Sequence, residues 1–446
     1  MMALSQARKI LNGVMSGKNV NFSSVSTDTR SLQEGELYIA LQGDSFDGHD
    51  YIEQAKQAGA IAAIVHKDVL TSLPVVKVEN TRKALGELAA AWRQSFSGKV
   101  VAITGSNGKT TVKEMVSAIA EKQGEVLATR GNFNNDIGLP LTLLRMQQES
   151  FAVIEMGANH PGEISNLTNI TQPDVALINN AAQAHLEGFG SLKGVAQAKG
   201  EIYQGLSKDG VAIINKDDEF AAYWLELASG KMIIDFSMHD KTASVYGEWK
   251  QAETGGHLTV CISDEVLQIN LHVHGLHNAM NALAAISVAE ALGIKHTHIT
   301  QALNEFTAVK GRLDFHRVSE NLTVIDDTYN ANPASLSVAI DVLNELPGER
   351  WLVLGDMGEL GSDEREMHFE AGVKARVTGV TRLLAIGSAS RHAVEAFGKN
   401  AKNFKNKNEL VSFIKQHQSD ELGILVKGSR FMHMEQIVES LIKRSI

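Results

Sequence analysis

Positions 104–111 of this chain read T-G-S-N-G-K-T-T. A Walker A phosphate loop has the form G-x-x-x-x-G-K-[ST]. Counting back from Lys109, its first glycine would fall at position 103, where isoleucine stands. The chemistry survives the shortening. Backbone N–H groups of Gly105, Ser106, Asn107 and Gly108 can converge on phosphate oxygens, and the positive end of a following helix adds to them. Lys109 supplies a point charge there, and the hydroxyl of Thr110 can reach Mg²⁺.

A nucleotide site also needs an acid on a neighbouring strand. The run "FAVIEMG" ends an apolar stretch on Glu155, where a metal-binding carboxylate would sit; a solvated acid at a strand end has the same pattern. His185 falls beyond the next strand, and one histidine serves packing or a surface as readily as a metal. Lys199 carries more information. In "GSLKGVAQAKGEIYQGL" it lies four residues after Val195 and three before Ile202, on an apolar stripe continued by Tyr203 and Leu206. Two readings stand side by side: the stem snorkels to water, or the amine is chemically altered or faces the metal. His272, His274 and His277 cluster in "HVHGLHN", yet no thiolate or acid completes a zinc set there.

These residues must be placed by the elements around them. "VVAIT" before the loop reads as a strand, and a helix is expected from Thr110. The strands "FAVIEM", "DVALINN", "GVAIIN" and "KMIIDF" follow, with helices between most of them, which predicts a mainly parallel sheet covered on both faces. Residues 243–274 look locally antiparallel, and "HNAMNALAAISVAEALG" is a helix ended by Gly293. Upstream, "ELYIAL", "AIAAIV" and "PVVKVE" are strands of a smaller mixed unit, and "YIEQAKQAG" is a short helix. Leu4, Ala7, Leu11 and Met15 share helical spacing. Downstream, "LTVIDD", "RWLVLGD", "RLLAIG" and "GILVKGS" make a second doubly wound unit. Ligands of such units lie beyond the carboxyl ends of the strands, which puts Asn330, Asn332, Lys427 and Arg430 on a binding rim. Arg430 there could hold a carboxylate in bidentate fashion, although exposed lysines and arginines are common surface residues. The expected fold class is α/β in three domains: 1–81 small and mixed, 82–311 a central phosphate-loop domain, and 312–446 Rossmann-like.

Composition bounds the function. The chain has 446 residues, 43% of them hydrophobic and 21% charged, ordinary for a globular protein with a sizeable core. Its formal charge, 42 − 52 = −10, argues against nucleic acid as a partner. The one cysteine, Cys261, allows no internal disulfide and suits a reducing compartment. It lies in "LTVCIS", where it is expected to pack. No apolar run reaches membrane-spanning length, and Arg8 and Lys9 interrupt the stretch where a signal peptide would need its apolar core. A soluble, cytoplasmic, monomeric protein is expected.

Read together, "STDTRSLQEGELYIAL", "TGSNGKTT", "GNFNNDIGLPLTLL", "IEMGANHPGEI", "HLEGFGSLKGVAQAKGEIY", "HGLHNAMNALAA", "KGR", "IDDTYNANPAS", "VLGDMGELG" and "VKGSR" resemble the Mur ligases of peptidoglycan synthesis over essentially the whole chain. The shortened loop is normal for that family. The resemblance implies an ATP-driven amide ligase with Mg²⁺, acting on UDP-N-acetylmuramoyl-tripeptide and D-alanyl-D-alanine through an acyl phosphate. It implies that Gly105 to Thr111 hold the triphosphate, that Thr110 and Glu155 hold one Mg²⁺ and His185 a second, and that Lys199 is carbamylated. Asn278 and Asn281 would lie on the adenine side, Arg312 at a phosphate and Asp327 at the ribose. Thr27, Asp28 and Arg30 would meet the uridine diphosphate, and Asn132, Asn134 and Asn135 the growing peptide. Asn330, Asn332, Lys427 and Arg430 would then hold the dipeptide. A sister ligase adding another amino acid, a folylpolyglutamate-type ligase, and a non-enzymatic phosphate-loop switch are the rival readings.

Overall fold

Three sheets carry the three apolar blocks of the sequence, in a computed structural model describing residues 1–183, 186–252, 254–418 and 421–443. The first sheet pairs Val14–Ser16 antiparallel to Val75–Lys77, then runs parallel through Ala62–Val65, Leu37–Ile39 and Val25–Ser26. Met15 therefore belongs to an edge strand: the N-terminal helix is Leu4–Ile10, and Leu11 caps it. The short helix Ile52–Gln57 forms as expected.

Among the described residues the central sheet has nine strands. Lys99–Thr104 lies between Phe151–Glu155 and Val175–Ile178, all parallel, and Val211–Asn215 and Met232–Ser237 extend the same direction. Residues 245–271 then fold back as an antiparallel meander. Strand periodicity decides the two cores. Val100 and Ala102 pack on one face with Leu85, Leu88 and Leu167. Val101 and Ile103 pack on the other with Val112, Met115, Leu283 and Ile286. Helices thus cover both faces. Cys261 does not pack: it points outward from Gly255–Ile262 and is exposed, because alternation there buries Val260 and Ile262 instead.

In the third sheet Leu322–Asp327 is followed in space by Leu422–Lys427, Glu349–Gly355, Arg382–Ile386 and Ala401–Phe404, all parallel. Asp314–Ser319 adds an antiparallel edge that no apolar run marks, since four of the six residues of "DFHRVS" are polar. Among the described residues no helix is long and apolar enough to cross a membrane.

Candidate active site

The strand Lys99–Thr104 delivers the chain to the phosphate loop. Gly108 turns it with φ +78°. A Cβ at Gly108 would stand 2.4 Å from both Asn179 Nδ2 and Asn281 Oδ1, so the loop closes only on glycine. Helix Lys109–Glu121 starts there, one residue earlier than the sequence suggests, and Thr111 is buried in its first turn. The loop is braced from behind by amides. Asn107 N–H donates to Asn180 Oδ1 at 2.9 Å, and Asn179 Nδ2 donates to Asn107 O at 2.9 Å and to Asn281 Oδ1 at 2.8 Å. Asn281 Nδ2 in turn donates to Asn278 Oδ1 at 3.2 Å. Asn278 and Asn281 therefore sit against the loop, projecting from helix Leu276–Ala291. Asn179 and Asn180 were missed in the sequence, where "NN" after a strand looks like any turn.

Lys109 curls back over the loop, its Nζ donating to Gly105 O at 2.7 Å. Burial pulls its pKa below the ordinary lysine value, with Glu155 opposing. Thr110 Oγ1 donates to Glu155 Oε2 at 3.0 Å, and Asn134 Nδ2 donates to Glu155 Oε1 at 2.8 Å. Both Thr110 and Glu155 are buried. A hydroxyl and a carboxylate converging beside a phosphate loop are hard oxygen donors, which fits Mg²⁺. Arg312 reaches across from just before the third sheet: its Nη2 donates to Thr110 Oγ1 at 3.2 Å, its guanidinium lies 4.0 Å from the ring centre of Tyr329, and its Nε is buried without a partner among the described residues.

Lys199 is 3% exposed. The stripe that placed it is real, with Val195, Ile202, Tyr203 and Leu206 all buried. It does not lie on one helix, however: the α-helix Leu192–Gly200 passes into a tight turn at Glu201–Tyr203. The amine lines the same cavity as Lys109 and Glu155. Burial, then the neighbouring Lys109, holds its pKa well below the ordinary value. A neutral amine is a nucleophile, which a charged ammonium is not.

The cavity measures about 1,040 Å³ and is lined by the central and third domains. Ser106, Asn107, Asn132, Asn134 and Asn135 line one side, and Arg312, Asn330, Asn332 and Arg430 the other. Asn332 bridges them directly, its Nδ2 donating to Asn107 Oδ1 at 2.9 Å. Lys427 does not stand on the rim. It is 2% exposed, with Nζ donating to Asp327 Oδ2 at 2.5 Å and to Asn330 O at 3.0 Å. The strand Leu422–Lys427 is central in its sheet, so its last side chain is covered by the loop at 327–333. Asp327 is buried in the same pair. Arg430 is exposed, with one loose ion pair to Glu435 at 3.3 Å. Thr27, Asp28 and Arg30 lie apart on the first domain, Arg30 and Asp28 forming an exposed ion pair at 2.6 Å. His185 lies outside the described residues. The three nearby histidines do not gather: His274 stacks on Phe315 at 4.0 Å, and no metal-binding group of three His, Cys, Asp or Glu side chains exists among the described residues.

A phosphate-loop motif that faces a buried carboxylate, with an arginine from a separate domain on its threonine, fits a nucleotide-driven enzyme that assembles its site between domains. Comparison with known proteins narrows this. Models of the Mur ligase family catalytic domain, the Mur ligase middle domain, and the "Mur ligase, glutamate ligase domain" match residues 21–93, 103–289 and 311–430. The chain belongs to the Mur ligase family, and is an ATP-dependent ligase forming an amide bond. It is 43% identical over 445 residues to the UDP-N-acetylmuramoyl-tripeptide–D-alanyl-D-alanine ligase of Escherichia coli, covering 98% of each chain. It matches the structure of the UDP-N-acetylmuramoylalanyl-D-glutamyl-2,6-diaminopimelate–D-alanyl-D-alanyl ligase of Acinetobacter baumannii with TM-score 0.88 and 34% identity, covering 99% of this chain and 98% of that one. It also matches MurF ligase of Thermotoga maritima in complex with ADP, with TM-score 0.83 and 27% identity, covering 96% and 99%.

Proposed function

We propose that this enzyme joins D-alanyl-D-alanine to the terminal carboxylate of UDP-N-acetylmuramoyl-tripeptide, converting ATP to ADP and phosphate, in cytoplasmic peptidoglycan precursor synthesis. The observation that carries the reading is the convergence of Lys109, Glu155 and Lys199 on one cavity closed by Arg312 and Asn332 from the third domain. Whole-length likeness to ligases of that name supports the choice of substrates.

Residues 1–81 hold the uridine diphosphate through Thr27, Asp28 and Arg30, residues 82–311 bind ATP, and residues 312–446 close over it and bring the amine. A carboxylate is a poor electrophile. Transfer of the γ-phosphoryl group to it gives an acyl phosphate, which the dipeptide amine attacks with release of phosphate. Lys109 leaves its own loop carbonyl for the β- and γ-phosphates. Arg312, already on Thr110, meets the same charge from the opposite side. Thr110 and Glu155 would hold one Mg²⁺ and His185 a second; the metal neutralises charge that both steps concentrate. Lys199, whose buried amine is held well below the ordinary lysine pKa, would add CO₂ and lose a proton to become a carbamate and a further oxygen donor. Asn278 and Asn281 stand on the adenine side and Asp327 near the ribose. Asn132, Asn134 and Asn135 line the peptide path. Asn330, Asn332 and Arg430 hold the dipeptide, Arg430 pairing with its carboxylate, while Lys427 fixes the loop that carries the asparagines. Closing of the third domain keeps water from the acyl phosphate.

The test is phosphate release in the presence of ATP, Mg²⁺ and UDP-N-acetylmuramoyl-tripeptide, with and without amine. Release should require D-alanyl-D-alanine. Equal release with a single amino acid would point to a sister ligase, and release with no amine to an ATPase switch.

A further inference from the structure

One charged pair on the cavity wall has no part in the phosphate chemistry. Arg82 Nε and Nη2 donate to the two carboxylate oxygens of Asp136, each at 2.5 Å, in a fork-on-fork geometry. Both side chains line the cavity, and both are partly open to it, at 53% and 36% exposure. Arg82 stands in the first turn of helix Thr81–Arg93, whose Thr81 Oγ1 donates to Ala40 O of the first domain at 2.9 Å. Asp136 stands in the loop that also presents Asn134 to Glu155. The pair thus sits on the first-domain side of the cavity, at the far end of the short loop that reaches the metal-binding carboxylate.

Resting on the ligase reading above, we propose that Arg82 and Asp136 recognise the side-chain terminus of the tripeptide's third residue, and select a zwitterionic amino-acid end over a bare ammonium. The distances support this. Two residue steps lead from Asn134 to Asp136 and span at most about 7 Å. An extended 2,6-diaminopimelate separates its two carboxyl carbons by roughly the same length. With the reacting carboxyl group beside Asn134, a residue of that length can extend towards the pair, which lines the same cavity. Charge supports it as well. In the free enzyme each member satisfies the other. A zwitterion replaces both partners in kind, its carboxylate on the Arg82 fork and its ammonium on Asp136. A lysine side chain offers only the ammonium. It would take Asp136 and leave Arg82 only the weaker, longer-range attraction of Glu163 and Asp44, so a site already paired disfavours it.

The experiment compares kcat and KM of the full-length enzyme for two UDP-N-acetylmuramoyl-tripeptides, one ending in diaminopimelate and one in lysine. It uses the wild type, Arg82→Gln, and the near-isosteric Asp136→Asn, which carries the test should Arg82→Gln fail to fold. The wild type should favour diaminopimelate by at least roughly tenfold in kcat/KM. Each variant should raise KM for that substrate by roughly tenfold or more, with kcat little changed, so that the preference collapses. Equal losses on both tripeptides would assign the pair to a group they share and overturn the proposal, as would no loss on either or a wild type that does not discriminate. A wild type that releases no amine-dependent phosphate with either tripeptide would instead overturn the ligase reading, and this proposal with it.

Discussion

Replacing Lys427 by methionine probes how the third domain holds its binding loop. The Lys427–Asp327 pair is buried, at 2% and 6% exposure, with Nζ 2.5 Å from Oδ2. At an effective dielectric of about 20 the gross attraction is about 6–7 kcal/mol, and much of it offsets the desolvation of two ions. Removing only the lysine leaves Asp327 buried with Leu313 N–H, at 3.2 Å, as its remaining donor among the described residues. The expected loss is therefore about 3–5 kcal/mol of stability. Asn330 O also loses its donor, so the loop at 327–333 slackens and KM for the dipeptide rises. Asp327→Asn in the Lys427→Met background removes the stranded charge and should recover at least about 2 kcal/mol. Urea unfolding of the wild type, both single variants and the double variant measures the coupling. A Lys427→Met variant within about 1 kcal/mol of wild type, or a double variant whose losses simply add, would refute the reasoning.

Lys199→Ala should be almost inactive while folding normally, and short carboxylic acids should restore part of its turnover; full activity without rescue would remove the carbamate from the account. Lys109→Ala should lose roughly a hundredfold or more in kcat, measured at saturating ATP, and near-normal turnover would mean that the loop is not catalytic. Arg430→Ala should raise KM for D-alanyl-D-alanine yet leave UDP-substrate binding to the open enzyme unchanged, as isothermal titration would show; the opposite pattern would reverse the two ends of the site. Burial pushes the His277 pKa down to about 4 from 6.5. The unfolded chain therefore binds the extra proton first, and stability should fall as pH drops from 6.5 towards 4, by about 3 kcal/mol at most. His277→Gln should flatten that part of the stability-versus-pH curve, and an unchanged slope would assign it to other groups.

Local signals in the sequence led to much of this site. The phosphate loop was legible because its glycines, lysine and threonine are contiguous and sit between a strand and a helix. Glu155 and Lys199 were legible because an apolar period predicts which side chains turn inward. What the sequence does not mark depends on contacts between distant positions. Asn179 and Asn281 are 102 residues apart in sequence and meet behind the loop; Arg82 and Asp136 are 54 apart. No period marks such pairs. Burial at a strand end also depends on neighbours: the strand-end position of Lys427 predicts a rim residue, and Asp327 and the following loop cover it. Strands of two or three residues, such as Val25–Ser26 and Val14–Ser16, are too short to show alternation.

The central claim is that ATP activates the tripeptide's own carboxylate before the amine arrives. The most direct measurement uses tripeptide labelled with ¹⁸O in its terminal carboxylate, turned over with ATP and D-alanyl-D-alanine, with the released phosphate analysed by mass spectrometry. An acyl phosphate passes one labelled oxygen to each phosphate when the amine displaces it. Amide product accompanied by phosphate free of ¹⁸O would contradict the account.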